Sequence, residues 1–173
     1  MKEEFGTQLE SGALRFVRDL PGPIERVWAY LVDPGKRGEW FCGGTMGHAP
    51  GDEFTMAFDH DRLSHERLPE AHAEMRGGIK MPGRVAAIEP ARLLAFEGIG
   101  EDAEVRFELQ EDGDRVRLTV TQMPLAERTQ RLGTAAGWHA HLGILVDVLE
   151  GRTPRGFWTE HEAARAHYET IVD

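Results

Sequence analysis

Leu20-Pro21-Gly22-Pro23-Ile24-Glu25-Arg26-Val27-Trp28-Ala29-Tyr30-Leu31-Val32-Asp33-Pro34 is followed within a few residues by Glu39-Trp40-Phe41. The stretch reads as a strand that breaks at Pro and Gly, a helix opened by Pro23 and stopped before Pro34, and an aromatic anchor. Proline at a first helical position gives up an N–H that would have no partner there, and its φ is already helical; a second proline prevents continuation. One helix of about three turns is thereby bracketed. Its apolar positions Ile24, Val27, Trp28 and Leu31 share one stripe.

Upstream, residues 12–20 alternate, with Leu14, Phe16, Arg18 and Leu20 on one side and Arg15, Val17 and Asp19 on the other. That period of two marks a half-buried strand, and Arg18 is its polar exception on the apolar side. Downstream, Asp33-Pro34-Gly35-Lys36-Arg37-Gly38 reads as a turn or short helix, and the segment from Trp40 through Gly43-Gly44 as a second strand ending near Met46. Residues 52–59 alternate again, with Phe54, Met56 and Phe58 on one face. Residues 60–80 then read as a long, solvated acidic loop, a length usually kept for function or mobility. Four further strands are expected at 83–89, 92–99, 103–111 and 115–123, the last two joined by a tight turn at Asp112-Gly113-Asp114.

The final third changes period from 2 to 3.6. A long helix is predicted over 132–150, with Leu132, Ala135, Trp138, His139, Leu142, Leu145, Val146 and Leu149 on one broad face, ended by Gly151 and Pro154. Ile144 and Val148 fall on its other side, which therefore needs a cover as well. A last helix over about 157–172 is the expected cover, with a second copy of the chain as the alternative. Short turns between consecutive strands argue for antiparallel pairing. The pattern predicts an α+β fold in which a curved antiparallel sheet of about six or seven strands wraps the long helix, the whole chain, 1–173, forming one domain.

Charge and cysteine content narrow the partners. Lys+Arg 20 against Asp+Glu 30 gives a net charge of −10, a field that repels phosphate backbones and anionic lipid surfaces, so neither nucleic acid nor membrane is an expected partner. Cys42 is the only cysteine, so no internal disulfide forms, and with no apolar leader or membrane span in view a cytoplasmic location is expected. No metal site is expected among the eight histidines: His60, His65 and His72 match no zinc spacing, and His139 and His141 point to opposite sides of a helix. Nor does any nucleophile motif, phosphate loop or dinucleotide fingerprint appear, so no cofactor and no catalytic residue is assigned.

In order along the chain, Arg18 before the Leu-Pro-x-Pro turn, Val27-Trp28, Trp40, Gly43-Gly44, Arg84-Val85 with Ile88-Glu89-Pro90, Arg92-Leu93-Leu94, Asp112-Gly113 and Gly137-Trp138 resemble the SRPBCC/START-like (Bet v 1-like) superfamily. The branch they resemble is named for the activator of heat-shock protein 90 ATPase, and Gly151-Arg152-Thr153-Pro154 with Phe157-Trp158 resembles a bacterial single-domain type within it. The resemblance implies the helix-grip fold, and with it a cavity between sheet and long helix for a small apolar or amphipathic molecule. On that basis Arg18, Trp28, Phe54, Met56, Phe58, Phe96, Phe107, Gln122, Trp138, His139 and Leu142 are the expected ligand-binding residues. Arg18, Gln122 and His139 matter most, because a polar group on an apolar face costs about 1–3 kcal/mol unless it finds a partner. Their alternative role is ordinary packing, just as the apolar residues can equally form a solid core.

A carrier or sensor of a small, largely apolar ligand is the leading reading. A cyclase, aromatase or hydrolase using the same polar groups is the alternative, and a chaperone-related protein-interaction module the third. Eukaryotic members bring a further N-terminal domain to the chaperone, whereas only about eleven residues precede the first strand expected here.

Overall fold

The computed structural model describes residues 4–173, and of Glu101 and Asp102 the backbone alone. Its elements are β1 (Thr7–Gln8), β2 (Leu14–Pro21), α1 (Ile24–Val32), α2 (Pro34–Arg37), β3 (Met56–Phe58), β4 (Ile79–Met81), β5 (Arg84–Glu89), β6 (Leu93–Gly98), β7 (Gly100–Asp112), β8 (Arg115–Gln122), α3 (Arg128–Leu149) and α4 (Phe157–Tyr168). Six strands form one antiparallel sheet in the order β1-β2-β8-β7-β6-β5, and β3 pairs with β4 as a separate hairpin.

Register explains why the inner face is apolar except at Arg18 and Gln122. Phe16 pairs with Val120, Val120 with Phe107, Phe107 with Leu94, and Leu94 with Ile88, a row that crosses five strands. The next row runs Leu14, Gln122, Val105, Phe96, Val85. Every second residue of each strand points to the same side, so alternation along the chain becomes continuous rows across the sheet. Helix α3 lies over those rows, and Trp138 meets Phe107 edge to face at 5.6 Å.

α3 starts four residues before the expected boundary and α4 ends at Tyr168 instead of near 172. α4 packs along α3, and Ile144 is fully buried. The cover that the two-sided apolarity of α3 requires is thus supplied from within the chain, which removes the ground on which a second copy was considered.

Two expectations need correction. Residues 40–46 form no strand; their main-chain pairing with residues 54–57 is confined to the bridges Gly43–Ala57 and Met46–Phe54 and a Thr55 N–H donated to the Thr45 carbonyl at 2.9 Å. Residues 60–80 are not a solvated loop. They hold 3₁₀ turns at His60–Arg62 and Glu70–Met75, and between these Ser64 Oγ accepts from the Phe157 N–H at 3.1 Å while Glu66 Oε2 accepts from the Trp158 and Thr159 N–H groups at 2.7 and 3.0 Å. The start of α4 is thereby capped by side chains some ninety positions earlier in the chain, where its own preceding residue, Gly156, has none to offer.

Arg37 is fully buried at the end of α2. Its guanidinium donates to the carbonyls of Cys42 at 3.0 Å, Gly43 at 3.3 Å and Leu31 at 3.4 Å, and lies 4.5 Å from the centre of the Phe54 ring. Phe54 in turn stacks on Phe96 of the sheet at 4.3 Å. Burial lowers the pKa of the guanidinium, but arginine starts so high that the charge stays. Replacing Arg37 with Met should lower the free energy of unfolding by roughly 3 kcal/mol or more, because it strands buried carbonyls. Arg37→Lys should recover less than half of that, since an ammonium lacks the planar fork. Urea titrations of the two variants check both expectations.

Candidate functional site

The expected ligand-binding residues divide into three groups. Phe54, Met56, Phe96, Phe107, Trp138 and Leu142 are 0–2 % exposed and belong to one continuous hydrophobic cluster. Trp28, on α1, and Phe58, on β3, are half-buried at its edge. The polar three do not meet at one point. Gln122 accepts from Trp138 Nε1 at 3.2 Å and donates to the Met123 carbonyl at 3.2 Å. His139 lies 3.4 Å from the Tyr168 hydroxyl and stacks under Phe5, with ring centres 4.7 Å apart. Arg18 donates to the carbonyls of Val17 at 2.8 Å and Glu4 at 3.1 Å.

Space for a small molecule opens beside this core. A cleft of about 670 Å³ lies between the α2 segment and the β3–β4 hairpin, with Phe41, Cys42 and Phe58 among its walls. Phe41 meets Phe58 edge to face at 5.1 Å and lies 4.9 Å from Trp138, so one ring separates the cleft from the centre of the core. Much of the remaining wall is main chain, contributed by Gly35, Gly38, Gly43, Gly44, Gly77 and Gly78. At three of these φ is positive, which favours glycine: +105° at Gly44, where a Cβ would collide with the Thr55 carbonyl oxygen, +84° at Gly77, and +89° at Gly78, where a Cβ would lie 2.8 Å from the Phe58 carbonyl oxygen. Glu39, Asp59, Arg62 and Lys80 complete the wall with both signs of charge. Burial pushes the Cys42 thiol up to about 12, so it stays protonated and unreactive.

Next to the cleft, four histidines from three elements converge on the start of α4. His60 lies 5.4 Å from His141 of α3 and 4.9 Å from Phe157; His72 stacks on Trp158 at 4.6 Å and meets His161 at 5.5 Å. His141 Nδ1 donates to the Trp40 carbonyl at 2.8 Å, which fixes its tautomer. Among the described residues no group of acidic, Cys and His side chains has the arrangement of a metal site. Burial lowers His60 and His161 to about 4 and His141 well below its usual value. These are neutral rings packed as aromatic filling. Sequence reasoning assigned His60 and His72 to solvent, and only the aromatic pair Phe157-Trp158 hinted at a partner for them.

The family model described as activator of Hsp90 ATPase homolog 1-like protein matches residues 21–150. No curated protein matches. The solution structure of the protein encoded by gene BPP1335 of Bordetella parapertussis is similar at 41 % identity and a TM-score of 0.83, over 97 % of this chain and 90 % of that one. CalU16 from Micromonospora echinospora shares the fold at 18 % identity and a TM-score of 0.68, over 97 % and 94 %. DynU16, from the dynemicin biosynthetic locus, does so at 21 % and 0.61, over 83 % of this chain and 49 % of that one.

The histidine junction should make the fold sensitive to acid. His60 and His161 titrate near 6.5 in the unfolded chain and near 4 in the folded one, so between those values the unfolded state binds more protons. Stability is therefore complete above about pH 6.5 and is lost as pH falls toward 4. His161→Gln should flatten the dependence of the urea midpoint on pH over this interval, an effect that carboxylate titration alone would not produce.

Proposed function

The chain belongs to the activator of Hsp90 ATPase homolog 1-like family, and from that premise we propose that it binds a small, largely apolar molecule, as a carrier or sensor, through the cleft between α2 and the β3–β4 hairpin. The observation that carries this reading is the contact of Phe41 and Phe58, in the cleft wall, with the aromatic core behind them. A ligand resting there meets rings on one side and main-chain donors and acceptors on the other. The volume lies within the range usual for small-molecule sites.

Magnitudes favour an amphipathic occupant. Burying about 200 Å² of apolar ligand surface yields roughly 5 kcal/mol before association costs, so polar contacts must supply much of the net affinity. Arg62 and Lys80 are placed to do so. Binding is favoured over turnover by the chemistry of the nearest groups. His60, in ring contact with Phe58, has a pKa of about 4 and is a weak base at neutral pH, and Cys42 is held as a thiol. A docking module would need a broad exposed apolar face. Among the described residues the large hydrophobic side chains that are exposed are Phe5 and Ile171.

Fluorescence titration with Nile red, an uncharged apolar probe, tests the proposal. Saturable enhancement is expected, weakened about tenfold in Phe58→Ala through loss of one aromatic contact. Unsaturable binding, or equal affinity in a folded Phe58→Ala, would exclude this cleft.

A further inference from the structure

Four charged side chains line the cleft between α2 and the β3–β4 hairpin: Glu39 and Asp59 are negative, Arg62 and Lys80 positive. Among the described residues these four side chains make no hydrogen bond and no ion pair, with one another or with any other group. Charges elsewhere on the chain behave differently. Arg76 pairs with Glu70 and Arg92 with Glu89, although both pairs are exposed.

The unpaired charges are close along the fold. The Arg62 N–H donates to the Asp59 carbonyl at 3.2 Å, closing one 3₁₀ turn between them. Lys80 pairs with Ala57 across the hairpin, two residues before Asp59. The backbone of Asp59 is therefore flanked by Lys80 on one side and Arg62 on the other, and Glu39 belongs to the facing wall, just after α2. The wall as a whole carries no net charge, in a chain whose total is −10.

All four side chains are exposed, so water serves them until a bound molecule displaces it. An uncharged apolar ligand would remove that water and return nothing to four ionised groups, the costliest kind to leave unpaired. A purely anionic ligand would serve Arg62 and Lys80 but bring a like charge towards Glu39 and Asp59, and a purely cationic one would do the reverse. A zwitterion answers all four. Its anionic oxygens match the fork of a guanidinium and the point charge of an ammonium, and its cationic group suits the two carboxylates.

We infer that the cleft selects an amphipathic zwitterion, with an apolar body against Phe41 and Phe58, an anionic group on Arg62 and Lys80, and a cationic nitrogen at Glu39 and Asp59. This rests on the binding role proposed above for the cleft and narrows it to one class of polar end. An ammonium carboxylate of the amino-acid kind and a phosphate ester of a quaternary amine share that chemistry.

The test uses probes that carry the same decyl chain, titrated as monomers into the intact protein at low salt and followed by backbone amide shifts in NMR spectra. They are decyldimethylglycine, decylphosphocholine, decanoate, decyltrimethylammonium and decanol. At least one of the two zwitterions should bind about tenfold more tightly than the other three probes, with shifts centred on Gly43, Gly44 and Gly78. Binding of the glycine derivative alone identifies an ammonium carboxylate, and of the phosphocholine alone a phosphate ester. Arg62→Gln with Lys80→Gln should weaken zwitterion binding about tenfold and strengthen that of decyltrimethylammonium. Glu39→Gln with Asp59→Asn should weaken it as much and strengthen that of decanoate, an exchange of preference that a loss of stability would not produce. The inference is overturned if decanol binds as tightly as the zwitterions, or if either single-signed probe binds more tightly than both. Those outcomes leave an apolar cleft standing, whereas saturable binding by none of the probes overturns the cleft as a site altogether.

Discussion

A single buried guanidinium sets the geometry of the end of the molecule where the cleft opens. Arg37 gathers the carbonyls on both sides of the α2 turn and sits over the Phe54 ring. Without it, residues 38–46 would be an irregular segment with buried carbonyls and no ladder to join, since they contribute only isolated bridges to the hairpin. With it, Trp40 and Phe41 are delivered to the core at fixed positions, and Trp40 Nε1 finds the Tyr30 carbonyl at 2.8 Å. The cation is tolerated because its hydrogen bonds and its π contact replace the water it has lost.

The same logic of satisfying polar groups at long range recurs at the start of α4. Ser64 and Glu66 take up the N–H groups that the helix cannot pair itself, and the histidines beside them remain uncharged so that they can pack as rings. The α4 helix then closes the outer face of α3 and, through Tyr168, secures the N-terminal segment: the Gly6 N–H donates to the Tyr168 hydroxyl at 2.7 Å. Core, cap and terminus are linked through one helix that the sheet itself never touches as a strand partner.

Local pattern was legible and long-range pairing was not. The prolines around α1, the alternation of β2, β7 and β8, the turn at Asp112-Gly113 and the helical period after residue 132 all act on neighbours in sequence, and each appeared in the structure within a few positions of its reading. Arg37 sits in a run of turn residues where an arginine is normally solvated, and nothing nearby in the chain names Phe54 as its partner. Glu66 and Thr159 are likewise unrelated until the fold brings them together. At the candidate site, apolar identity placed Phe54, Phe96, Phe107 and Trp138 inside, but the same residue types serve a packed interior and a ligand pocket equally well. The polar exceptions Arg18, Gln122 and His139 were found by their position on apolar faces, yet their separate destinations depended on the row of the sheet or the helix side each occupied.

The glycine-built wall of the cleft between α2 and the β3–β4 hairpin carries an evolutionary corollary. Main-chain N–H and C=O groups are the same whatever side chains surround them, and three of the glycines are held in conformations that other residues resist. Heritable variation therefore has few handles on this surface: Glu39, Phe41, Phe58, Asp59, Arg62 and Lys80 are the short alphabet that substitution can rewrite, while the main-chain scaffold between them stays fixed.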